Sequence, residues 1–305
     1  MQSWDGEGIS MSNSHFILLV VQGITEFFPI SSTAHLHICS KLIEHSLTLP
    51  EEMALDLIPG LIFLVYFRSD VLKLLSGFFE VCSHIIRSTR TYFSAQAKKV
   101  VAGTQSTNAA GTQSTNVASI NAAPHNMLND SPNVTFFKFI LWSALPILIC
   151  GALVSIFQVS IPNSAKIIGV NSIIFGALLG LSEYIHPLRR FNRGIILGLA
   201  QALACIPGVS RLGICLTVTR AMDIPRDEAT RISFLCGIPA IVCAGIVGVV
   251  RARHAICTSS MGGAAIVMVA LGASALCIFL QYVRTHTLLV FAVYRVCLGG
   301  VLLLL

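Results

Sequence analysis

Long apolar runs, nearly free of charge, fill most of this chain and leave it little choice but a bilayer. They fall at 16–28, 54–67, 134–157, 165–181, 194–206, 232–250, 264–282 and 287–305. Only 11% of the 305 residues are Asp, Glu, Lys or Arg, against about 25% in soluble globular domains. So few charges cannot clothe a water-soluble body of this size, which excludes an ordinary cytoplasmic enzyme and a disordered protein. A bilayer span needs about twenty mostly apolar residues. Several runs reach that length, and the pattern predicts one polytopic all-α domain over 1–305. The net charge of +6 suits basic cytoplasmic loops. No basic face with interleaved aromatics exists, so membrane lipids are expected partners and nucleic acid is not. The 10 cysteines stand singly with no CxxC pair and read as small packing residues rather than a disulfide or metal framework. The first fourteen residues are polar and acidic and lack a basic n-region, so no cleaved signal peptide is expected.

Two runs, 16–28 and 194–206, are short and stop at Pro29 and at Pro207-Gly208. Short apolar segments broken by Pro or Gly in corresponding parts of two halves predict discontinuous, re-entrant helices. The stretch 71–87 is different. Leu72, Leu75, Phe78, Phe79, Cys82, Ile85 and Ile86 alternate at helical spacing with Lys73, Ser76, Glu80, Ser83, His84 and Arg87. That predicts an interfacial helix with one wet face. Residues 98–133 form a low-complexity insertion in which GTQSTN occurs at 103–108 and again at 111–116. It has nothing to bury, and a mobile loop is expected there. Arg68, Lys73, Arg87, Arg90, Lys98 and Lys99 cluster around it and place it in the cytoplasm.

An internal repeat carries the functional signal. QGITEFFPISSTAH at 22–35 is matched by QALACIPGVSRLG at 201–213. Each runs from Gln through a short apolar stretch to Pro, then to hydroxyls that open another helix, with a one-residue slip between Gln and Pro. Two such elements meeting at mid-depth make an inverted repeat with two re-entrant helix-loop-helix segments. Charges inside a bilayer need a partner or a wet cavity. We place Glu26 and Arg211 at matching points of the two repeats, so that they share one cavity. Ser31, Ser32, Thr33 and Ser210 stand at helix starts, where free N–H groups and the dipole favour an anion. Arg211 adds a planar fork for phosphate oxygens. Gln22 and Glu26 lie one helical turn apart and could hold a divalent cation through oxygen. His35 follows Ser32 by three residues, which puts a base beside a hydroxyl nucleophile. Blander readings stand beside these: Ser31–Thr33 as simple caps, a structural Glu26–Arg211 pair, and His35 and His37 as polar side chains that merely find partners.

QGITEFFPISSTAH, IPGVSR and the following DEATRISFLCGIPA resemble the undecaprenyl-diphosphate phosphatases, or bacitracin resistance proteins, from about His15 to the C-terminus. The resemblance implies an inner-membrane enzyme of inverted repeats whose site opens toward the outer, periplasmic face. It implies removal of the terminal phosphate of undecaprenyl diphosphate, a polyprenyl lipid, to recycle the carrier of cell-wall synthesis, with Mg²⁺ or Ca²⁺ as cofactor. By that resemblance Gln22 and Glu26 serve metal binding and catalysis. Ser32 is nucleophile or phosphate contact, and Ser31 and Thr33 are its hydroxyl neighbours. His35 is nucleophile or acid/base, Arg211 grips the diphosphate, and Gly208 and Ser210 line the phosphate site. Ala34, Leu212, Thr217–Arg220 and Ile58-Pro59-Gly60 depart from the family pattern. A lipid-phosphate flippase could use the same pocket. An acid-phosphatase-type enzyme is disfavoured, because no histidine follows Ser210-Arg211 at the needed spacing. The pattern is compatible with a homodimer.

Overall fold

The computed structural model describes residues 13–105, 130–157, 159, 162–188, 193–252 and 260–305. The N-terminal stretch and the centre of the low-complexity insertion, 106–129, lie outside the described residues, so the readings made there stand as expectations. The described chain is helical, with no strand. In order come α1 (Asn13–Thr25), α2 (Ser32–Leu42), α3 (Leu49–Leu55), α4 (Leu57–Tyr66), α5 (Arg68–Gln105), α6 (Pro132–Ile156), α7 (Ala165–Leu181), α8 (Arg193–Ala202), a 3₁₀ turn (Leu203–Cys205), α9 (Arg211–Ala221), α10 (Arg226–Arg251), α11 (Ser260–Thr285) and α12 (Leu289–Leu304). Three stretches, Pro132–Ile156, Arg226–Arg251 and Ala265–Thr285, are long and apolar enough to cross a membrane, and the chain is a membrane protein. The nine described cysteines are all free.

Two compact units emerge: Met1–Arg68 with Phe139–Leu305, and Ser69–Lys138. In the second, Phe78 meets Phe137 edge-on at 5.7 Å, and the Ser131 hydroxyl donates to Glu80 at 2.6 Å. The interfacial helix read at 71–87 is part of the longer α5, which continues to Gln105 and so enters the stretch assigned to the loop. Between Gly77 and Gly103 the sequence holds no Gly or Pro, so nothing stops the helix earlier. Leu72, Leu75, Phe78, Phe79, Ile85 and Ile86 are exposed along it.

The first unit holds the two proline-containing turns, between α1 and α2 and between α8 and α9. Pro29 ends α1, because it lacks an N–H and disfavours helical backbone at the residue before it. Phe27 and Phe28 next to it lock the turn in place. Phe27 packs on Phe63 of α4 at 5.1 Å, and Phe63 on Phe234 of α10 at 4.8 Å. Phe28 meets Phe279 of α11 at 5.7 Å and Phe291 of α12 at 6.0 Å. Aromatic pairs of this kind add about 0.5–1.5 kcal/mol each beyond the area they bury. The second turn is propped by α7, whose Asn171 Nδ2 donates to the Pro207 carbonyl at 2.8 Å. Helix α7 in turn lies close along α12 through Gly169, Gly176 and Gly299, as small residues allow between membrane helices.

The run 54–67 is not one helix. It breaks at Asp56, which ends α3 and begins α4. An acid inside an apolar run needs a polar partner, and Asp56 finds one on α1, as described next.

Candidate active site

The two broken-helix turns have the same local geometry. Ser31 has φ 69° and ψ 95°, and Ser210 has φ 65° and ψ 110°. Each caps the helix that follows, the Ser31 hydroxyl accepting from Ala34 N at 3.4 Å and the Ser210 hydroxyl from Gly213 N at 3.2 Å. A positive φ costs a side-chain-bearing residue about 1–3 kcal/mol and tends to gather at functional sites. Gly208 takes φ 89°, a region in which its lack of a Cβ spares that strain. The capping reading of Ser31 is thus what the geometry shows.

The shared geometry corrects the alignment of the repeats. With Ser31 on Ser210, Gln22 falls on Gln201, and the one-residue slip is confined to the prolines. Arg211 then corresponds to Ser32, not to Glu26: each is the first residue of the helix after the turn. The two converge nonetheless. Arg211 Nη2 donates to Glu26 Oε1 at 2.5 Å, and the Ser32 hydroxyl donates to Glu26 Oε2 at 2.8 Å. One carboxylate from the first turn therefore binds the opening residue of both second helices. The Glu26 and Arg211 side chains keep 14% and 16% exposure, enough for an incoming anion to compete for the guanidinium. Arg211 Nη1 also donates to the Gly237 carbonyl on α10 at 3.2 Å, close to Pro239 in the same helix.

Gly237 makes room for this guanidinium, since a Cβ there would collide with Arg211 Nη1. We expect Gly237→Ala to displace Arg211 from Glu26 and slow turnover by roughly a hundredfold, the scale of a 1 Å misplacement at a reacting centre. A purified variant with unchanged thermal unfolding and an unchanged rate would contradict that.

The remaining predicted residues are placed differently. His35 does not meet Ser32. Its Nδ1 lies 2.8 Å from the Ser31 carbonyl and its Nε2 2.6 Å from the Tyr294 hydroxyl of α12. The base that Ser32 touches is Glu26, because a carboxylate preceding the turn folds back over the helix start whereas a side chain three residues on reaches sideways to α12. Gln22 is buried and does not join Glu26; its Nε2 donates to Asp56 Oδ1 at 3.0 Å, while its Oε1 has no partner. Thr33 is half-buried at the second helical position of α2. His37, expected to find a partner, leaves Nε2 buried without one. Leu212 is buried, so that departure from the family pattern falls in the packing. Arg220, another departure, is held by Glu183 at 3.3 Å and by the Ile224 carbonyl. A cavity of about 380 Å³ lined by Arg220, Pro225, Arg226, Asp227, Val283 and Arg284 contains none of the predicted residues.

Sequence reasoning missed Asp56 and Tyr294. A lone acid in the run 54–67 is a signal that could have found the first. Nothing local marks the second, which reaches His35 from the far end of the chain. As to a metal, no group of three or more His, Cys, Asp or Glu side chains among the described residues is arranged to hold one. The donors present are oxygens: the orphaned Gln22 Oε1 and the carboxylates of Asp56 and Glu26. An all-oxygen set fits a hard cation such as Mg²⁺ or Ca²⁺.

The chain was compared with known proteins. The sequence profile of a family described as bacitracin resistance protein BacA matches residues 15–301. An undecaprenyl-diphosphatase of Synechococcus sp. (strain CC9311) is 33% identical over 308 residues, covering 95% of this chain and 92% of that one. The undecaprenyl-diphosphatase of Synechococcus elongatus is 31% identical, covering 94% and 90%. That of Myxococcus xanthus is 30% identical, covering 95% and 87%. With a match over nearly its whole length, the chain belongs to the bacitracin resistance protein BacA family.

Proposed function

We propose that this chain is a membrane phosphatase that converts undecaprenyl diphosphate to undecaprenyl phosphate and inorganic phosphate. The observation that carries the reading is the Glu26 carboxylate, which accepts from both Ser32 and Arg211. In the resting site Glu26 and Arg211 neutralise each other. A diphosphate entering at the helix starts competes for the Arg211 fork and for the first-turn N–H groups of α2 and α9, which have no intrahelical acceptor. As the guanidinium turns to phosphate, the Glu26 carboxylate is released from Arg211 while it still accepts from Ser32.

Ser32 Oγ, or a water it holds, then attacks the terminal phosphorus while its proton passes to Glu26 Oε2 and on to the leaving lipid phosphate. Where Ser32 itself attacks, a water then cleaves the phosphoserine by the same route, restoring the serine and releasing inorganic phosphate. The P–O bond of the anhydride breaks, and the electron pair leaves on the lipid phosphate oxygen. Arg211 and the helix starts stabilise the charge spread over the transferring group. Ser31, Thr33, Gly208 and Ser210 shape the turns that present those N–H groups. Gln22, Asp56 and Glu26 would hold a divalent cation, which when bound helps neutralise the diphosphate. The matching turns support a repeat of two re-entrant segments, and the family resemblance implies a site that faces the periplasm of a bacterial inner membrane. Transport without hydrolysis has no support, since the relatives are named for hydrolysis.

The test is release of inorganic phosphate from undecaprenyl diphosphate by the purified chain. We expect release that stops with chelator and returns with Mg²⁺ or Ca²⁺, and a Ser32→Ala variant slowed at least a hundredfold. Substrate crossing vesicles without phosphate release would overturn the reading.

A further inference from the structure

Helix α12 carries two neighbouring side chains that the chemistry above does not use, and each grips one of the two turns. Tyr294 reaches the first: its hydroxyl lies 2.6 Å from His35 Nε2, with the two rings nearly parallel at 6° and 5.7 Å apart. Arg295 reaches the second: its Nη2 donates to the Gly208 carbonyl at 2.9 Å and the Val209 carbonyl at 2.7 Å. Adjacent residues of a helix point about 100° apart, so α12 stands between the turns and holds both.

The chemistry of each contact is specific. A carbonyl only accepts, so His35 Nδ1 must carry a proton and donate it to Ser31 O. Nε2 of the neutral ring is then an acceptor, and the Tyr294 hydroxyl supplies its donor; when the ring is protonated, the same oxygen accepts from Nε2. Tyr294 thus holds the imidazole in one orientation whether the ring is neutral or protonated, and in the neutral ring it complements the Nδ1–H tautomer that Ser31 O selects. Arg295 is fully buried, and its Nε and Nη1 have no partner. A guanidinium held inside an apolar helix pair with two nitrogens unsatisfied is expensive. What it gains in return is one amino group, Nη2, shared between the two carbonyls immediately before Ser210.

We infer that Tyr294 and Arg295 are positioning residues: Tyr294 sets His35, and Arg295 sets the turn that aims Arg211, so that one helix keeps the two half-sites in register. This rests on the proposed role of Arg211 at the diphosphate, and on the acid/base role that the family resemblance implies for His35. The test is steady-state phosphate release by full-length Tyr294→Phe, His35→Ala and the double variant, with Arg295→Lys measured alone and with Arg211→Ala. Phe keeps the ring and removes only the hydroxyl. Lys keeps the charge and removes the longer planar guanidinium that places Nη2 against both carbonyls. We expect each to lower kcat by roughly tenfold with KM within about twofold. Neither should slow turnover further once its target, His35 or Arg211, is already gone. A wild-type kcat for Tyr294→Phe, or an equal loss with and without His35, overturns the inference. Should Arg295→Lys fail to fold, Tyr294→Phe alone decides. His35→Ala at the wild-type rate removes His35 from the chemistry and overturns the inference, while the Glu26–Ser32–Arg211 reading stands. A slow His35→Ala beside an unaffected Tyr294→Phe overturns the inference alone.

Discussion

Replacing Arg211 with alanine should cut phosphate release by at least a thousandfold, because an arginine on the transferring phosphoryl group is worth about 10³–10⁵ in rate. The substitution removes the fork from the transition state. It also strands the Glu26 carboxylate, which has lost the cation 2.5 Å away. Arg211→Lys separates the two effects. A lysine restores charge near Glu26 but not the planar pair of donors, so it should rescue stability more than rate. Rate is read as inorganic phosphate released, and stability as thermal unfolding of the purified protein. Arg211→Ala at the wild-type rate would remove the guanidinium from the mechanism.

Glu26→Gln should be nearly as damaging. The amide keeps the shape of the side chain and one oxygen, so the turn should survive. It can no longer neutralise Arg211 or take the proton from Ser32, both of which now bond its oxygens. General-base assistance alone is worth about 10²–10⁴ in rate, and the loss should appear in kcat. A variant whose loss lay wholly in KM would make Glu26 a substrate contact rather than a base.

The pairing of Glu26 with Arg211 was legible in the sequence, because two charges inside apolar segments demand each other. The matching helix starts were legible too, in Pro followed by Ser. The partners of Ser32 and His35 were not. Spacing of three residues places both on one helix face, yet Ser32 is claimed by a carboxylate folding back across the turn and His35 by a helix that follows more than two hundred residues later. Periodicity describes a helix and is silent about its neighbours. Asp56 was hidden for a related reason: a hydropathy run averages over one acid, and the break between α3 and α4 becomes visible only with Gln22 facing it. The length of α5 was missed because low-complexity composition marks what need not fold, not where a helix without a stop signal must end.

The most direct measurement is a double-mutant cycle on phosphate release from undecaprenyl diphosphate, using Glu26→Gln, Arg211→Ala and the two combined. If one carboxylate and one guanidinium work as a single unit, the combined variant should be no slower than the slower single one, within about threefold. If the losses multiply, driving release far below either single variant, the two residues act independently and the account fails.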